Sequence, residues 1–392
     1  MFHLTEKELQ KNMAGHTAQE IYQQPEIWQD TVNAVVEKQT EIERFLKAIY
    51  DQHKQVRVVM TGAGTSAFAG DILTPELQKQ HQGKIQFEAI ATTDIVSNPT
   101  HYLFKEIPTI LVSFARSGNS PESVAAVKLA KDIIDDFYQV NITCNPNGQL
   151  AENTKHDENS LTILTPEKAH DQAFAMTSSF TSMILACYMI FSKRSISRNT
   201  IEGMIANGNQ LVKQVVEVVE EVIAHDMERI VYLGSGSLGQ LAHEAALKML
   251  ELTAGKVVAV HESSLGFRHG PKSILNDQSV VVLFLSQDAY TRKYDLDMLR
   301  ELAGETTIIK TIALTERQDE EVSKLADWAI SVNPEEKTLG DDFYLAMLYI
   351  LFAQVLALKK SIQLGITPDN PSPDGSVNRV VKGVTIYDYE EK

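Results

Sequence analysis

Pro108-Thr109-Ile110-Leu111-Val112-Ser113-Phe114-Ala115-Arg116-Ser117-Gly118-Asn119-Ser120 begins as an apolar, strand-like run and ends in a small polar turn that opens an amphipathic helix. At such a junction the helix offers unpaired backbone N–H groups and the positive end of its dipole, so an anion such as phosphate can be held without a dedicated cation. By itself the turn could be no more than a serine N-cap. A second one stands upstream: Val56-Arg57-Val58-Val59-Met60-Thr61 reads as a buried strand and runs into Gly62-Ala63-Gly64-Thr65-Ser66-Ala67-Phe68-Ala69-Gly70. The Gly-x-Gly tempts a dinucleotide reading. That reading needs an acidic residue about twenty positions on, at the end of the next strand, and the chain has Ala89-Ile90-Ala91-Thr92-Thr93 there, which argues against a nicotinamide cofactor.

Working outward, strands are expected at 56–61, 86–92, 108–114, 139–144 and 161–164, with helices at 66–80, 120–137 and 172–191. Short apolar strands alternating with helices imply a parallel sheet covered on both faces, with its ligand crevice at the carboxyl ends of the strands. A pair of helices is expected over 17–54 and a mostly helical stretch over 198–227, with Val212, Val215, Val216, Val218, Val219 and Val222 on its apolar side. Then the pattern restarts. Arg229-Ile230-Val231-Tyr232-Leu233 followed by Gly234-Ser235-Gly236-Ser237 repeats the first strand and turn at an offset of about 172 residues, a duplication. Further strands are expected at 280–285, 307–314 and 328–332, and a long helix at 341–363. The second copy lacks the Ser-Gly-Asn-Ser element and has Asp288 where a phosphate would lie.

The chain has 392 residues, 43% hydrophobic and 22% charged, enough for two cores. A net charge of −16 with scattered lysines and arginines excludes nucleic acid as the expected partner, so an anionic ligand must be bound locally. Two cysteines, Cys144 and Cys187, are too few for a disulfide framework or a thiolate metal site, and no metal constellation is visible. The polar start of the chain and the absence of an apolar run of roughly twenty residues predict neither signal peptide nor membrane anchor, hence a cytoplasmic protein without a membrane partner.

Two stretches of the second half could do chemistry. His243-Glu244-Ala245-Ala246-Leu247-Lys248-Met249-Leu250-Glu251 is helical, and its two carboxylates, seven residues apart, share a face. The simplest pairing joins Glu244 to Lys248 one turn later and leaves Glu251 in solvent. His269, between Arg268 and Gly270-Pro271, sits on a loop where backbone geometry can present it to a ligand. The tail from Thr367 to Ser376 has three prolines and a glycine and cannot be regular structure. Beyond it Lys382 precedes a short strand-like finish.

Together, the strand-Gly-x-Gly-Thr-Ser turn, the strand-Ser-Gly-x-Ser turn, Cys144-Asn145 at a strand end, and Glu-x6-Glu followed by His-Gly-Pro resemble tandem sugar-isomerase (SIS) domains over about residues 40 to 390. The chain is similar to the isomerase half of glucosamine-6-phosphate synthase. Through Pro368-Asp369-Asn370-Pro371-Ser372-Pro373-Asp374-Gly375 it looks more like the AgaS family of galactosamine-6-phosphate deaminase/isomerases, also labelled tagatose-6-phosphate ketose/aldose isomerases. The resemblance implies an α/β chain of two SIS domains, each a parallel five-stranded sheet flanked by helices in a flavodoxin-like three-layer sandwich. The expected division is a helical segment at 1–54, a phosphate-binding domain at 55–195, a helical connector at 196–227, a second domain at 228–366, and a tail at 367–392 that completes the active site.

The resemblance also implies roles. Gly64, Thr65, Ser66, Ser117, Asn119 and Ser120 would cradle the phosphate and nearby sugar hydroxyls, and Thr177 would add a sugar contact. Glu251 would move a proton between C1 and C2, His269 would open the pyranose ring, and Lys382 would lie near O1 or the amine, as an ammonium or as a Schiff base. No cofactor and no metal are implied. In the synthases the histidine loop comes from a neighbouring subunit, which implies a homodimer or higher homo-oligomer. The synthase's Ser-Gln pair before the phosphate serine is here Ala115-Arg116, so one sugar contact is lost and a cation gained. The glutaminase domain of the synthases has no counterpart, and residue 2 is Phe2 instead of their nucleophilic cysteine. Without an ammonia source the same proton transfer can run toward ammonium release, which makes deamination of galactosamine 6-phosphate to tagatose 6-phosphate the expected reaction. A plain phosphosugar aldose–ketose isomerase, a fructosamine-6-phosphate deglycase and a non-catalytic sugar-phosphate sensor are the rivals. C4 stereochemistry stays open, with Arg116 as the candidate contact.

Overall fold

The structure, a computed structural model, describes residues 1–81, 83–194, 197–307, 310–334, 339–379, 381 and 383–389. It divides into two compact units. The first-sheet unit takes residues 27–171, 178–196 and 375–392. Its strands are β1 (Val56–Thr61), β2 (Ile85–Ala89), β3 (Thr109–Ala115), β4 (Phe137–Thr143) and β5 (Ser160–Leu164), all parallel in the order β2-β1-β3-β4-β5. Every residue of β1 and β3 is buried, as expected of central strands covered by helices on both faces. Arg57, the one charge inside β1, is tolerated because Glu88 on β2 takes its guanidinium in two bonds of 2.7 Å. Strand order reverses between β1 and β3, and the turns after these two strands therefore flank the crevice of a doubly wound sheet.

The second-sheet unit takes residues 1–26, 172–177 and 197–374. Strands β6 (Arg229–Gly234), β7 (Val258–Ser263), β8 (Ser279–Phe284), β9 (Lys310–Thr315) and β10 (Trp328–Ser331) are parallel in the order β10-β9-β8-β6-β7, the first sheet's topology read from the other edge. The duplication extends to the backbone of the turns. A Cβ on Gly62 would lie 2.5 Å from Ser66 carbonyl atoms, and one on Gly234 would lie 2.5 Å from the Leu238 oxygen. Gly64 and Gly236 share a left-handed backbone, φ +57° and +56°. The helix Asp342–Gln363 packs against the helices Arg198–Ile223 and Ser237–Leu252 and forms the centre of this unit.

The sequence expectations need several corrections. The N-terminal pair of helices is three, Gly15–Tyr22, Gln24–Glu37 and Gln39–Gln52, after a short Glu6–Lys11, because the apolar periodicity runs through breaks as short as one residue at Gln23 and Lys38. β2 stops at Ala89 since Thr92 turns back and donates its N–H (2.8 Å) and hydroxyl (3.1 Å) to the Gly62 carbonyl, opening the helix Thr92–Ser97. The helix expected to reach 137 ends at Ile133, and Phe137 starts β4. The helix expected from 172 starts at Ser178, where the Asp171 carboxylate takes the N–H groups of Ser178 (3.0 Å) and Ser179 (2.9 Å) and acts as its cap. β7 and the helix Thr291–Ala303 were not foreseen. The strand-like finish is not a strand: described residues 383–389 carry no regular structure. Finally, Asp342–Gln363 is long and apolar enough to cross a membrane, contrary to the expectation of no such run, but 94% of its most apolar stretch is buried, as in a core helix.

Candidate active site

In the first-sheet unit the two anion-ready turns follow adjacent strands. Gly64, Thr65 and Ser66 lead from β1 into the helix Thr65–His81, with both hydroxyl residues buried. Arg116, Ser117, Gly118, Asn119 and Ser120 lead from β3 into the helix Pro121–Ile133. Pro121 at its first position needs no N–H partner, and the Ser120 side chain makes no capping bond, so the hydroxyl is not spent on its own helix.

The second turn is held from below. Gly118 adopts φ +67° and lies against Gly148, where a Cβ would come 2.6 Å from the Ser117 carbonyl oxygen. Asn145 Nδ2 donates to that oxygen (2.8 Å), Leu150 N–H to the Gly118 oxygen (3.1 Å), and Gln149 N–H to Asn119 Oδ1 (2.9 Å). The turn is thus preorganised by the segment after β4, which explains why Asn145 belongs to the motif. Arg116 is buried, and its Nη2 donates to the Arg379 carbonyl (3.0 Å).

In the second-sheet unit the helix Ser237–Leu252 carries a buried triad. Lys248 is fully buried and lies 2.5 Å from Glu251 and 3.4 Å from Glu244. Burial pushes the ammonium pKa down, but the two carboxylates more than offset this and hold it above the ordinary lysine value. The pairing expected from sequence is therefore reversed in weight: the shorter bond goes to Glu251, whose side chain is 23% exposed while Glu244 is 0% exposed. Glu251 can meet a ligand while its carboxylate is fixed from behind. Sequence reading gave Lys248 to Glu244 alone; the signal for its second partner was the i, i+3 spacing to Glu251. His269 ends the short 3₁₀ turn Gly266–His269 with its side chain in solvent, and Gly270, at φ +124°, makes the bend.

Thr177 is fully buried in the segment 172–177, which is grouped with the second-sheet unit. Glu20 anchors that segment by accepting the Gln172 and Ala173 N–H groups. Lys382 lies outside the described residues.

The second copy's own turn is filled from within. The buried carboxylate of Asp295 accepts the hydroxyls of Ser235 and Ser264, each at 2.6 Å, and the Ser286 N–H at 3.0 Å. Asp342 takes the Ser286 hydroxyl (2.5 Å) and the Gln287 N–H (3.0 Å). Asp288, expected to be the blocking residue, instead accepts the Tyr290 and Thr291 N–H groups at the start of the helix Thr291–Ala303.

Two sheets of this topology, each with a glycine turn after its first strand, define a duplicated sugar-isomerase architecture. The SIS domain model matches residues 51–193 and 223–361, and the chain belongs to the SIS-domain family. Within it the chain is 41% identical to an Escherichia coli protein described as D-galactosamine-6-phosphate deaminase AgaS, over 95% of this chain and 96% of that one. A solved structure from Clostridium novyi NT, 42% identical, superposes with a TM-score of 0.94 over 99% of each chain. A structure from Escherichia coli described as a tagatose-6-phosphate ketose/aldose isomerase is 37% identical, with a TM-score of 0.87 over 96% of this chain and 97% of that one.

Proposed function

We propose that this chain is a deaminase/isomerase that converts galactosamine 6-phosphate to tagatose 6-phosphate and ammonia. The observation that carries the proposal is the end-to-end 41% identity to the Escherichia coli galactosamine-6-phosphate deaminase. The site is compatible with it. The turns at Gly64–Thr65–Ser66 and Ser117–Asn119–Ser120 supply backbone N–H groups and hydroxyls for the phosphate. His269 shuttles the ring proton between O5 and O1, which opens the pyranose. Glu251 takes the C2 proton and returns one to C1, turning the amino aldose into a ketose imine; water then adds at C2 and ammonia leaves, one water in and one ammonia out. Lys382 is assigned to the developing charge at O1 or the imine nitrogen, and Thr177 to a sugar hydroxyl.

The working unit is taken as a homodimer or a larger homo-oligomer in the cytoplasm, where the free thiols of Cys144 and Cys187 stay reduced. The description of the second Escherichia coli relative favours one rival, a plain aldose–ketose isomerase on the same base. Ammonium release from galactosamine 6-phosphate and from glucosamine 6-phosphate, measured side by side, separates the two. We expect release from the galacto epimer, reduced about 10²- to 10⁴-fold by Glu251→Ala with substrate binding retained. Ketose formation without ammonium would favour the rival, and equal loss of binding and turnover in the variant would remove Glu251 from the base role.

A further inference from the structure

His269 stands in the chain between two cations that meet on one carboxylate. Arg268 donates through Nε to Glu301 Oε2 (2.6 Å) and Lys272 through Nζ to Glu301 Oε1 (2.5 Å), so the two oxygens of Glu301 accept from the two flanks of the histidine. Arg268 Nη2 also reaches Asp297 (2.9 Å), and Lys272 also pairs with Glu305. Asp297 and Glu301 lie one turn apart on the helix Thr291–Ala303. The Lys272 and Arg268 donors hold the Glu301 carboxyl below its ordinary value, so the bridge stays charged through the neutral pH range.

The loop is pinned to the core at its two ends. Phe267 is fully buried in the same core as Met298, Leu299 and Leu302 of that helix, and Ile274 packs against this core beyond the histidine. Between the pins two short 3₁₀ turns, Gly266–His269 and Pro271–Ile274, meet at Gly270 with φ +124°. Such turns have poor hydrogen-bond geometry, and the Arg268 N–H lies 3.4 Å from the Leu265 oxygen. Glycine at the junction gives the backbone a hinge. Arg268 precedes that hinge and Lys272 follows it, so one carboxylate sets the angle between the turns and with it the direction of His269. The cations are each 26% exposed and Glu301 33%, a setting in which ion pairs add little to global stability, so the bridge acts mainly on local geometry.

We propose that Glu301 is a positioning residue for His269, bridging Arg268 and Lys272 across the Gly270 hinge to hold the imidazole in its working direction. This rests on the functional reading above for the task of His269, the opening of the sugar ring, though not for the bridge itself. Glu301 touches no substrate in this assignment and holds no reacting proton.

The test compares the full chain with Glu301→Ala, Asp297→Ala, His269→Asn and the double variant Glu301→Ala/His269→Asn. For each, kcat and KM for ammonium release from galactosamine 6-phosphate are measured, with the melting temperature and amide hydrogen exchange over residues 266–274. We expect Glu301→Ala to lower kcat by about 10- to 100-fold with KM within about twofold of wild type, since a displacement near 1 Å is enough to spoil a catalytic geometry. Exchange in the loop should quicken while the melting temperature stays within about 3 °C of wild type. Asp297→Ala removes a charge from the same helix but keeps the bridge, and should hold kcat within about threefold. His269→Asn should lower kcat further, and adding Glu301→Ala to it should change kcat by less than about twofold, because a residue acting through the histidine then has nothing to act on. A wild-type kcat in Glu301→Ala, an equal loss in Asp297→Ala, or single losses that multiply in the double variant would each overturn the proposal and leave His269 its role. Full activity in His269→Asn would remove the ring-opening reading instead; quickened exchange in Glu301→Ala would then leave the bridge standing, and unchanged exchange would overturn it too.

Discussion

Lys248 ties a fully buried carboxylate to a partly exposed one. Three ionisable groups within about two turns, two of them fully buried, would be costly if a member were missing, since each helps to offset the desolvation of its neighbours. Lys248→Met removes the cation 3.4 Å from the buried Glu244 carboxylate, and the expected loss is about 3–5 kcal/mol of unfolding free energy at neutral pH, read by urea denaturation. A loss under about 1 kcal/mol would show that water reaches Glu244. The pH dependence follows from the direction of the shift. The folded-state pKa of Lys248 is raised above the ordinary 10.5, so the triad's contribution is fully present below that value and is lost as pH rises through the folded pKa. The wild-type minus Lys248→Met difference should therefore not fall between pH 7 and 10 on account of this lysine. The sequence announced the carboxylates, through their seven-residue spacing, but not which of them Lys248 grips, because i+3 and i+4 partners are equally near on a helix. Burial broke that tie by sealing Glu244 and leaving Glu251 at the surface.

At the scale of elements, what could be read beforehand were the strands buried on both faces. β1, β3 and β8 are mostly apolar runs, and each was placed within a residue of its observed ends. β7 was missed because, as an edge strand, it mixes Val258, Ala259 and Val260 with His261 and Glu262 and is exposed at Val258, His261 and Ser263. Helix ends failed wherever a distant side chain sets the boundary, as Asp171 does at Ser178. The strand-to-helix turn at 117–120 was legible, whereas its support was not, because that support is a long-range contact with Gly148. Gly148→Ala should push the Ser117 carbonyl away from a Cβ that would otherwise stand 2.6 Å from it. We expect KM for the phosphosugar to rise on the order of tenfold or more while the melting temperature falls only slightly, since a displacement near 1 Å is enough to spoil a binding geometry. A lowered melting temperature with KM intact would mean that the turn does not depend on this packing.

Across the whole molecule, the two copies share strand order, glycine positions and backbone angles, yet differ in what fills the turn. In the first-sheet unit the residues after β3 leave the Ser120 hydroxyl outside its own cap and place a cation, Arg116, at the turn. In the second-sheet unit the hydroxyls of Ser235 and Ser264 and the Ser286 N–H are taken by Asp295, with Asp342 beside it. Burial raises the Asp342 pKa, and the nearby Asp295 and Asp341 carboxylates raise it further, so this corner repels negative charge. An entering phosphate would have to displace an internal carboxylate that already holds three hydrogen bonds. The sequence pointed to Asp288 as the residue filling the second copy's turn; Asp295, which fills it, could not be found from the strand ends because it reaches the turn from within the helix Thr291–Ala303. Calorimetric titration with inorganic phosphate should therefore give one site per chain, and Asp295→Asn, which withdraws the charge that fills the second turn, should leave the affinity of that site unchanged. A stoichiometry of two in the wild-type protein would show that the second turn opens to anions and that the duplication kept both sites.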